Sequence, residues 1–164
     1  MKLRVLDIVE GTSVDGPGLR TSLYFAGCHH ACPGCHNPES WDFNGGELYD
    51  LSDLIEIIKI NDFDVTFSGG DPLYHPTEIA ALSKRIKDEL GKNIWCYTGF
   101  CWEDIQKSKT LLETVQNIDV IVDGSFVESL RDLSLLFRGS SNQRIIDVKK
   151  SIEKGEAVEI IDLF

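Results

Sequence analysis

The sequence predicts an α/β fold with a largely parallel sheet that is either open or curled into part of a barrel. Two observations carry this prediction. Short apolar segments rich in β-branched residues alternate with amphipathic segments, and polar motifs follow several of the apolar segments. Such alternation implies right-handed crossovers between parallel strands. With 164 residues, of which 42% are hydrophobic, the chain can bury one complete core, so we expect a single domain over residues 1–164.

Seven segments have the composition of β-strands. They are Leu3–Val9, Thr21–Ala26, Asp64–Phe67, Ile94–Tyr97, Asp119–Val122, Ile145–Val148 and Ala157–Ile161.

Two stretches between these strands have the apolar spacing of one helix face. Their apolar positions are Leu51, Leu54, Ile55 and Ile58 in the first, and Ile79, Leu82, Ile86 and Leu90 in the second. Pro76 near the start and Gly91 just after the end favour helix boundaries for the second stretch. Trp102–Val115 is a less regular third candidate, with a break expected near Ser108.

Polar motifs follow four of the predicted strands. A cysteine-rich run follows the second strand, Ser68–Pro72 follows the third, Thr98–Gly99 the fourth, and Asp123–Gly124 the fifth. Functional residues gather at the carboxyl ends of parallel strands. We therefore expect the four motifs to meet at one rim of the sheet.

The composition excludes several classes of protein. A net charge of −11 disfavours nonspecific binding to nucleic acid or to an anionic membrane. The sequence contains no apolar run of about 18 residues and no secretion signal, which predicts no membrane association and a cytoplasmic location. Five cysteines are an odd number, and three of them lie within eight residues, so a disulfide scaffold is not expected.

The cysteine-rich run is the most informative motif. Cys28, Cys32 and Cys35 have a Cys-x3-Cys-x2-Cys spacing, which supplies three thiolates from one loop. Most closed metal sites take four protein ligands, so three thiolates suggest a centre with an open position. One alternative is zinc with His29, His30 or His36 as the fourth ligand. The other is a 4Fe-4S cluster with three irons bound by cysteine and the fourth exposed.

The remaining motifs have a structural and a functional interpretation. Ser68–Pro72 can be a simple turn, or Gly69 and Gly70 can bring backbone close to a ligand while Asp71 accepts a hydrogen bond from an ammonium group. Val14–Arg20 can be a surface turn or can present Asp15 and Arg20 to a bound peptide.

Other polar or aromatic residues are expected to have structural roles. We interpret Arg138–Gln143 as a solvated loop and His75 as the cap of the helix that follows it. Cys96 and Cys101 lack neighbouring cysteines and are interpreted as ordinary residues. The three tryptophans are interpreted as packing residues; they are Trp41, Trp95 and Trp102.

Taken together and in order, six motifs resemble the radical S-adenosylmethionine activases of glycyl radical enzymes. The motifs are Asp15–Arg20, Gly27–Asn37, Ser68–Leu73, Trp95–Gly99, Val122–Phe126 and Arg138–Gln143. The resemblance covers nearly the whole chain and is strongest to the branch that acts on anaerobic, class III ribonucleoside-triphosphate reductase. The set of motifs is far more specific than the cysteine spacing, and it strongly favours the cluster over zinc.

The resemblance implies an incomplete (β/α) barrel of the radical S-adenosylmethionine type, because a complete barrel needs about 250 residues. It implies that Cys28, Cys32 and Cys35 bind a 4Fe-4S cluster. S-adenosylmethionine would complete the cluster and would be held by the edge formed by Gly69, Gly70 and Asp71, with Thr98 nearby.

Two positions depart from the broader superfamily pattern. Gly34 replaces an aromatic residue before the third cysteine, which leaves the adenine contact to His36 and the backbone of Gly34 and Cys35. Asp71 replaces a glutamate, which keeps the carboxylate but shortens its reach. Both variants are familiar in the reductase branch.

The implied function is that of an oxidoreductase that cleaves S-adenosylmethionine and places a glycyl radical on the reductase, using a low-potential electron donor such as flavodoxin. Asp15 and Arg20 would then be candidate contacts to the partner's loop. Two alternatives stay open: an activase of another glycyl radical enzyme, such as pyruvate formate-lyase, and a zinc or iron-sulfur module without catalysis.

Overall fold

The structure is a computed structural model that describes residues 1–35 and 38–161. Seven strands form one sheet: β1 (Lys2–Thr12), β2 (Arg20–Phe25), β3 (Glu47–Asp50), β4 (Asp64–Gly69), β5 (Ile94–Tyr97), β6 (Val120–Asp123) and β7 (Arg144–Asp147). Five α-helices are present in this part of the chain: α1 (Leu51–Asn61), α2 (Pro76–Arg85), α3 (Trp102–Lys107), α4 (Lys109–Val115) and α5 (Val148–Lys154).

Short helical turns complete the secondary structure. A π-helical turn, Ile86–Leu90, extends α2 to Gly91, whose left-handed conformation ends the helix. Three 3-10 turns are Pro38–Trp41, Pro72–Tyr74 and Glu128–Leu130. None of the helices in the described ranges is long and apolar enough to cross a membrane.

The sheet is mixed, which corrects the expectation of a mostly parallel one. Its order is β3-β1-β2-β4-β5-β6-β7, and only the three pairings among β2, β4, β5 and β6 are parallel. The chain joins β1 to β2 without a crossover helix, and it joins β6 to β7 through a loop with one 3-10 turn. Both pairs are therefore antiparallel, because a parallel pair needs a long crossover.

The sheet is open, with β3 at one edge and β7 at the other. This agrees with the expectation of an incomplete barrel only in that the sheet does not close. One strand was missed, and one strand prediction was wrong. The short strand β3 was not predicted, and Ala157–Ile161 is not a strand, because only Glu159 pairs with β7.

The helices α1 to α4 pack on one face of the sheet. In β5, Ile94 and Cys96 point into the large core beneath these helices, while Trp95 belongs to a smaller apolar cluster on the opposite face. The predicted stripes of α1 and α2 are buried in the large core, and Ser108 separates α3 from α4 as expected. One face of the central strands is thus left for the loops and for the cavity described below.

Candidate functional site

An open cavity of about 370 Å³ lies at the carboxyl ends of the four parallel strands. The loop after β2 contributes Cys28, His30, Cys32 and Cys35 to its wall. The ends of β4, β5 and β6 contribute Ser68, Gly69, Gly70, Tyr97, Thr98, Gly99, Val122 and Gly124. The structure therefore brings together the four motifs that the sequence placed at one rim.

The cysteine loop turns tightly around its three thiols. The amide of Cys35 donates to the carbonyl of Cys32 at 3.1 Å, and Ala31 and Gly34 have left-handed backbone conformations. All three cysteines are partly exposed and carry free thiols. Burial raises the pKa of the Cys28 thiol, and the negative charge of Asp71 raises it further. The loop can thus offer three separate sulfur ligands to a group in the cavity.

The two described histidines of the loop are held by aromatic neighbours. The ring of His29 lies 4.4 Å from that of Phe43, and the ring of His30 lies 4.8 Å from that of Phe100. His36 lies outside the described residues. Across residues 1–35 and 38–161, no three His, Cys, Asp or Glu side chains are grouped so that they could hold one metal ion. A cluster requires no such convergence, because each thiolate binds a different iron.

Gly69 and Gly70 line the cavity and also pack closely on the neighbouring backbone. A Cβ at Gly69 would lie 2.3 Å from the amide nitrogen of Phe25, and a Cβ at Gly70 would lie 2.4 Å from the carbonyl oxygen of Gly27. Both glycines are therefore needed for the close approach of β4 to β2 and to the start of the cysteine loop. A larger side chain here would disturb the fold before it reached a ligand.

Asp71, which the resemblance assigned to the cofactor edge, is not among the residues that line the cavity. The residue is only 1% exposed. One carboxylate oxygen accepts from the amide of Leu73 at 3.0 Å, and the other accepts from Thr98, Gly99 and His30. Both oxygens of the carboxylate thus accept hydrogen bonds from the protein itself.

Thr98 lies on the cavity wall, but its hydroxyl is also engaged. The hydroxyl group donates to the carboxylate of Asp71 at 2.9 Å, and its oxygen accepts from the amide of Phe100 at 3.1 Å. Gly34 lies outside the cavity wall, where a Cβ would meet the carboxylate of Glu128 at 2.8 Å. Of the two described residues that were predicted to contact adenine, Gly34 and Cys35, Cys35 lines the cavity.

The turn after β1 has one residue in the cavity and one in the interior. Asp15 lines the cavity and accepts a hydrogen bond from the hydroxyl of Tyr24. Arg20 is 1% exposed and donates to Thr66, to Asn93 and to the carbonyls of Pro17 and Val65. The structure therefore places Arg20 in the interior. Its guanidinium joins β2 to β4 and to Asn93, the residue before β5.

Sequence reasoning missed several residues of the cavity wall. Tyr24 and Tyr97 project from β2 and β5 toward the cavity. Each directly follows a residue of the large core, Leu23 or Cys96, and the alternation of a strand therefore indicates that the tyrosine faces the opposite side of the sheet. Phe126 lies on the loop after β6; it ends the motif Val122–Phe126, but the motif assigned it no role.

The segment Arg138–Gln143 is also more ordered than a solvated loop. Gly139 and Gln143 line the cavity, and Ser140 is fully buried. The side-chain Nε2 of Gln143 donates to the carbonyl of Gly124 at 3.0 Å, while the side-chain Oε1 accepts from the backbone amide of Gly139 at 2.8 Å. These bonds fasten the segment to the end of β6.

The structural interpretations of the other singled-out residues mostly agree with the structure. Cys96 is buried in the large core, and Trp95 and Trp102 are packing residues. Cys101 does not line this cavity. His75 precedes α2 but does not cap it with its side chain, because its Nε2 lies 2.6 Å from the carbonyl oxygen of Ala26 instead.

Comparison with known proteins shows the family of the chain. Residues 14–146 match the family described as a 4Fe-4S single cluster domain. The relatives of the chain include several proteins named anaerobic ribonucleoside-triphosphate reductase-activating protein, among them the following three. The Salmonella typhi protein is 42% identical over 79% of this chain and 89% of its own length. The Haemophilus influenzae protein is 40% identical over 80% of this chain and 90% of its own length. The Enterobacteria phage T4 protein is 37% identical over 80% of this chain and 86% of its own length. The chain belongs to the family of anaerobic ribonucleoside-triphosphate reductase-activating proteins and contains a 4Fe-4S single cluster domain.

Proposed function

We propose that this chain is a radical S-adenosylmethionine enzyme that generates the glycyl radical of anaerobic ribonucleoside-triphosphate reductase. The observation that carries the proposal is the cavity itself. Three unpaired cysteines from one loop and the backbone of Gly69 and Gly70 line the same open space at the ends of four parallel strands. Its volume of about 370 Å³ is in the range of sites for small molecules, about 300–1,000 Å³.

The residues present fit both groups that the proposal needs. Cys28, Cys32 and Cys35 would each hold one of three irons, and the fourth iron would be left for the cofactor. With both groups bound and one electron from the donor, the site would supply cleavage of the sulfonium to methionine and a 5′-deoxyadenosyl radical, and that radical would take a Cα hydrogen from a glycine of the partner to give 5′-deoxyadenosine.

The protein's own contribution is to bind, orient and exclude water. Tyr24, Tyr97, Val122 and Phe126 give the cavity an aromatic and apolar wall that limits water around a reactive intermediate. Because the carboxylate of Asp71 is occupied internally, backbone groups of Ser68 to Gly70 are the available polar partners at the end of β4.

The partner is proposed from the family and from the open shape of the site. Relatives at 37–42% identity are named as activating proteins of the anaerobic reductase. The sheet is open at both edges and the cavity opens to solvent, so a loop of a large protein could reach it. The proposal includes a cytoplasmic location and a low-potential electron donor such as flavodoxin.

The test is anaerobic reconstitution of the chain with iron and sulfide, followed by addition of S-adenosylmethionine, reductant and the anaerobic reductase from the same source. We expect a doublet glycyl radical signal in the reductase by electron paramagnetic resonance, together with 5′-deoxyadenosine and methionine. A Cys32→Ala variant should yield none of these products, and a Cys101→Ala variant should yield all of them.

Two results would contradict the proposal in different ways. A radical that forms only on a pyruvate formate-lyase-type partner would favour the other activase function. A chain that binds four irons but never cleaves the cofactor would be a cluster module without radical chemistry, and stoichiometric zinc without iron-sulfur absorption would refute the cluster.

A further inference from the structure

We infer that Asp71 is a positioning residue that fixes the cysteine loop, through His30, before any cluster is bound. This inference deepens the proposed function, because it assigns to the carboxylate a partner in the protein in place of a ligand. It concerns four residues, Asp71, His30, Thr98 and Gly99, which we call the Asp71 clamp.

The carboxylate of Asp71 bonds to two separate segments of the chain. One oxygen of Asp71 receives three hydrogen bonds: from Nε2 of His30 at 2.6 Å, from the hydroxyl of Thr98 at 2.9 Å and from the amide of Gly99 at 2.9 Å. His30 belongs to the cysteine loop, whereas Thr98 and Gly99 follow β5. A single buried oxygen thus joins two segments that the sequence separates widely.

The ring of His30 also packs against aromatic side chains. Its ring lies against Phe100 and Tyr74, with centroids 4.8 Å and 5.2 Å apart. A Cβ at Gly99 would lie 2.4 Å from the His30 ring, so glycine is required for the ring to reach the carboxylate. Aromatic packing and the hydrogen bond therefore hold the same ring in one position.

Two contacts of Asp71 connect the Asp71 clamp to the loop that carries the thiols. His30 lies between Cys28 and Cys32 in the sequence, and all three line the cavity. The amide of Asp71 also donates to the carbonyl of Gly27, directly before the first cysteine, at 2.8 Å. With both contacts formed, the path of the loop is determined by the protein, and the thiols are oriented in advance of iron.

The experiment uses hydrogen exchange of the apoprotein, which needs neither cluster nor partner. His30→Phe keeps the ring and removes the donor, and Asp71→Asn keeps the shape of the carboxylate and removes its charge. We expect amides of the segment 27–35 to exchange about tenfold faster in both variants, since a lost hydrogen bond is worth about a factor of ten in local opening. Strand β5 should keep its wild-type rate.

Two matched variants complete the test. His30→Gln retains an N–H donor and should keep the slow exchange of residues 27–35. His29→Phe changes the neighbouring histidine, which packs on Phe43, and should also behave like the wild type. In the reconstituted protein, His30→Phe should broaden the cluster's electron paramagnetic resonance signal, and His30→Gln should restore it.

The inference is overturned if residues 27–35 exchange at the wild-type rate in both disrupting variants. It is also overturned if β5 accelerates equally, because that result would indicate general loss of stability. Since the measurement is made on the apoprotein, failure of the wild type to cleave S-adenosylmethionine would refute the proposed function and leave this result unaffected.

Discussion

Gly70 approaches Gly27 so closely that a Cβ on Gly70 would lie 2.4 Å from the carbonyl oxygen of Gly27. The contact is reinforced on both sides. The amide of Gly70 donates to the carbonyl of Phe25 at 2.8 Å, and the amide of Gly27 donates to that of Ser40 at 2.7 Å. The end of β4 and the start of the cysteine loop are therefore in backbone contact.

The first prediction concerns this contact. Gly70→Ala should lower the free energy of unfolding by about 1–3 kcal/mol, because a methyl group must displace backbone that has little freedom to move. Urea unfolding of the apoprotein measures this change. Gly45→Ala is the control, since its new methyl group would meet the side chain of Leu6 at 3.1 Å and the carbonyl oxygen of Asp42 at 3.3 Å, both much farther than the 2.4 Å at Gly70. Equal effects of the two substitutions would show that the Gly70 contact is not tight.

The second prediction concerns iron. Alanine at Cys28, Cys32 or Cys35 should abolish the 4Fe-4S cluster, because no other cysteine lines the cavity. Iron and sulfide analysis after anaerobic reconstitution measures the cluster content. Cys101→Ala should retain about four irons. A variant of one of the three loop cysteines that keeps a full cluster would contradict the assignment of that ligand.

The third prediction concerns Arg20, whose guanidinium donates to four acceptor residues in the interior and lies 5.7 Å from the ring of Trp95. Arg20→Met should destabilise the apoprotein by on the order of 3 kcal/mol, because it leaves buried acceptors unsatisfied. Arg131→Met, at an exposed position, should change stability by less than about 0.5 kcal/mol. Unchanged stability with impaired activation of the reductase would instead restore Arg20 as a partner contact.

The fourth prediction concerns alkaline pH. Burial raises the pKa of Tyr97, and burial together with the hydrogen bond to Asp15 raises the pKa of Tyr24. Both phenols therefore stay protonated in the native protein where the unfolded chain ionises, above a pH of about 10. The unfolded state then binds fewer protons, so the free energy of unfolding should fall as the pH rises above about 10.

Tyr97→Phe should flatten this dependence, because the variant has one fewer phenol to ionise on unfolding. Urea unfolding of the apoprotein between pH 9 and 11 measures the slope. The same slope in wild type and Tyr97→Phe would show that Tyr97 ionises in the native protein as easily as in the unfolded chain.

The central strands were predicted well because burial on both faces makes each of them a short, continuous apolar run. In β6, Ile121 faces the large core and Val122 the smaller cluster, so the segment is apolar throughout. Strand β3 lacks this signal, because Glu47 and Leu48 are exposed at the edge of the sheet. Ala157–Ile161 has the composition of a strand but pairs with β7 at one residue, Glu159.

The motifs that form the candidate site were predicted from the sequence, whereas the hydrogen bonds between them were not. Spacing identified Cys28, Cys32 and Cys35 as potential ligands, because three thiols so close in sequence are close in space. No pattern in the sequence showed that His30 would occupy the carboxylate of Asp71, since that contact joins two loops at the ends of different strands. Gln143 was unpredictable for the same reason, because its partners follow from how β6 and β7 pair.

The cavity wall runs from Asp15 to Gln143, whereas the three thiols come from a single short loop. During synthesis, the loop therefore emerges long before the strands that shelter it, and contacts of such large sequence separation form late in folding. A nascent chain can expose all three thiols while the enclosing wall is still absent. Thiols exposed on such a chain are open to oxidants and to other metal ions, so we expect the proposed cluster to assemble most productively after the chain has closed around the site.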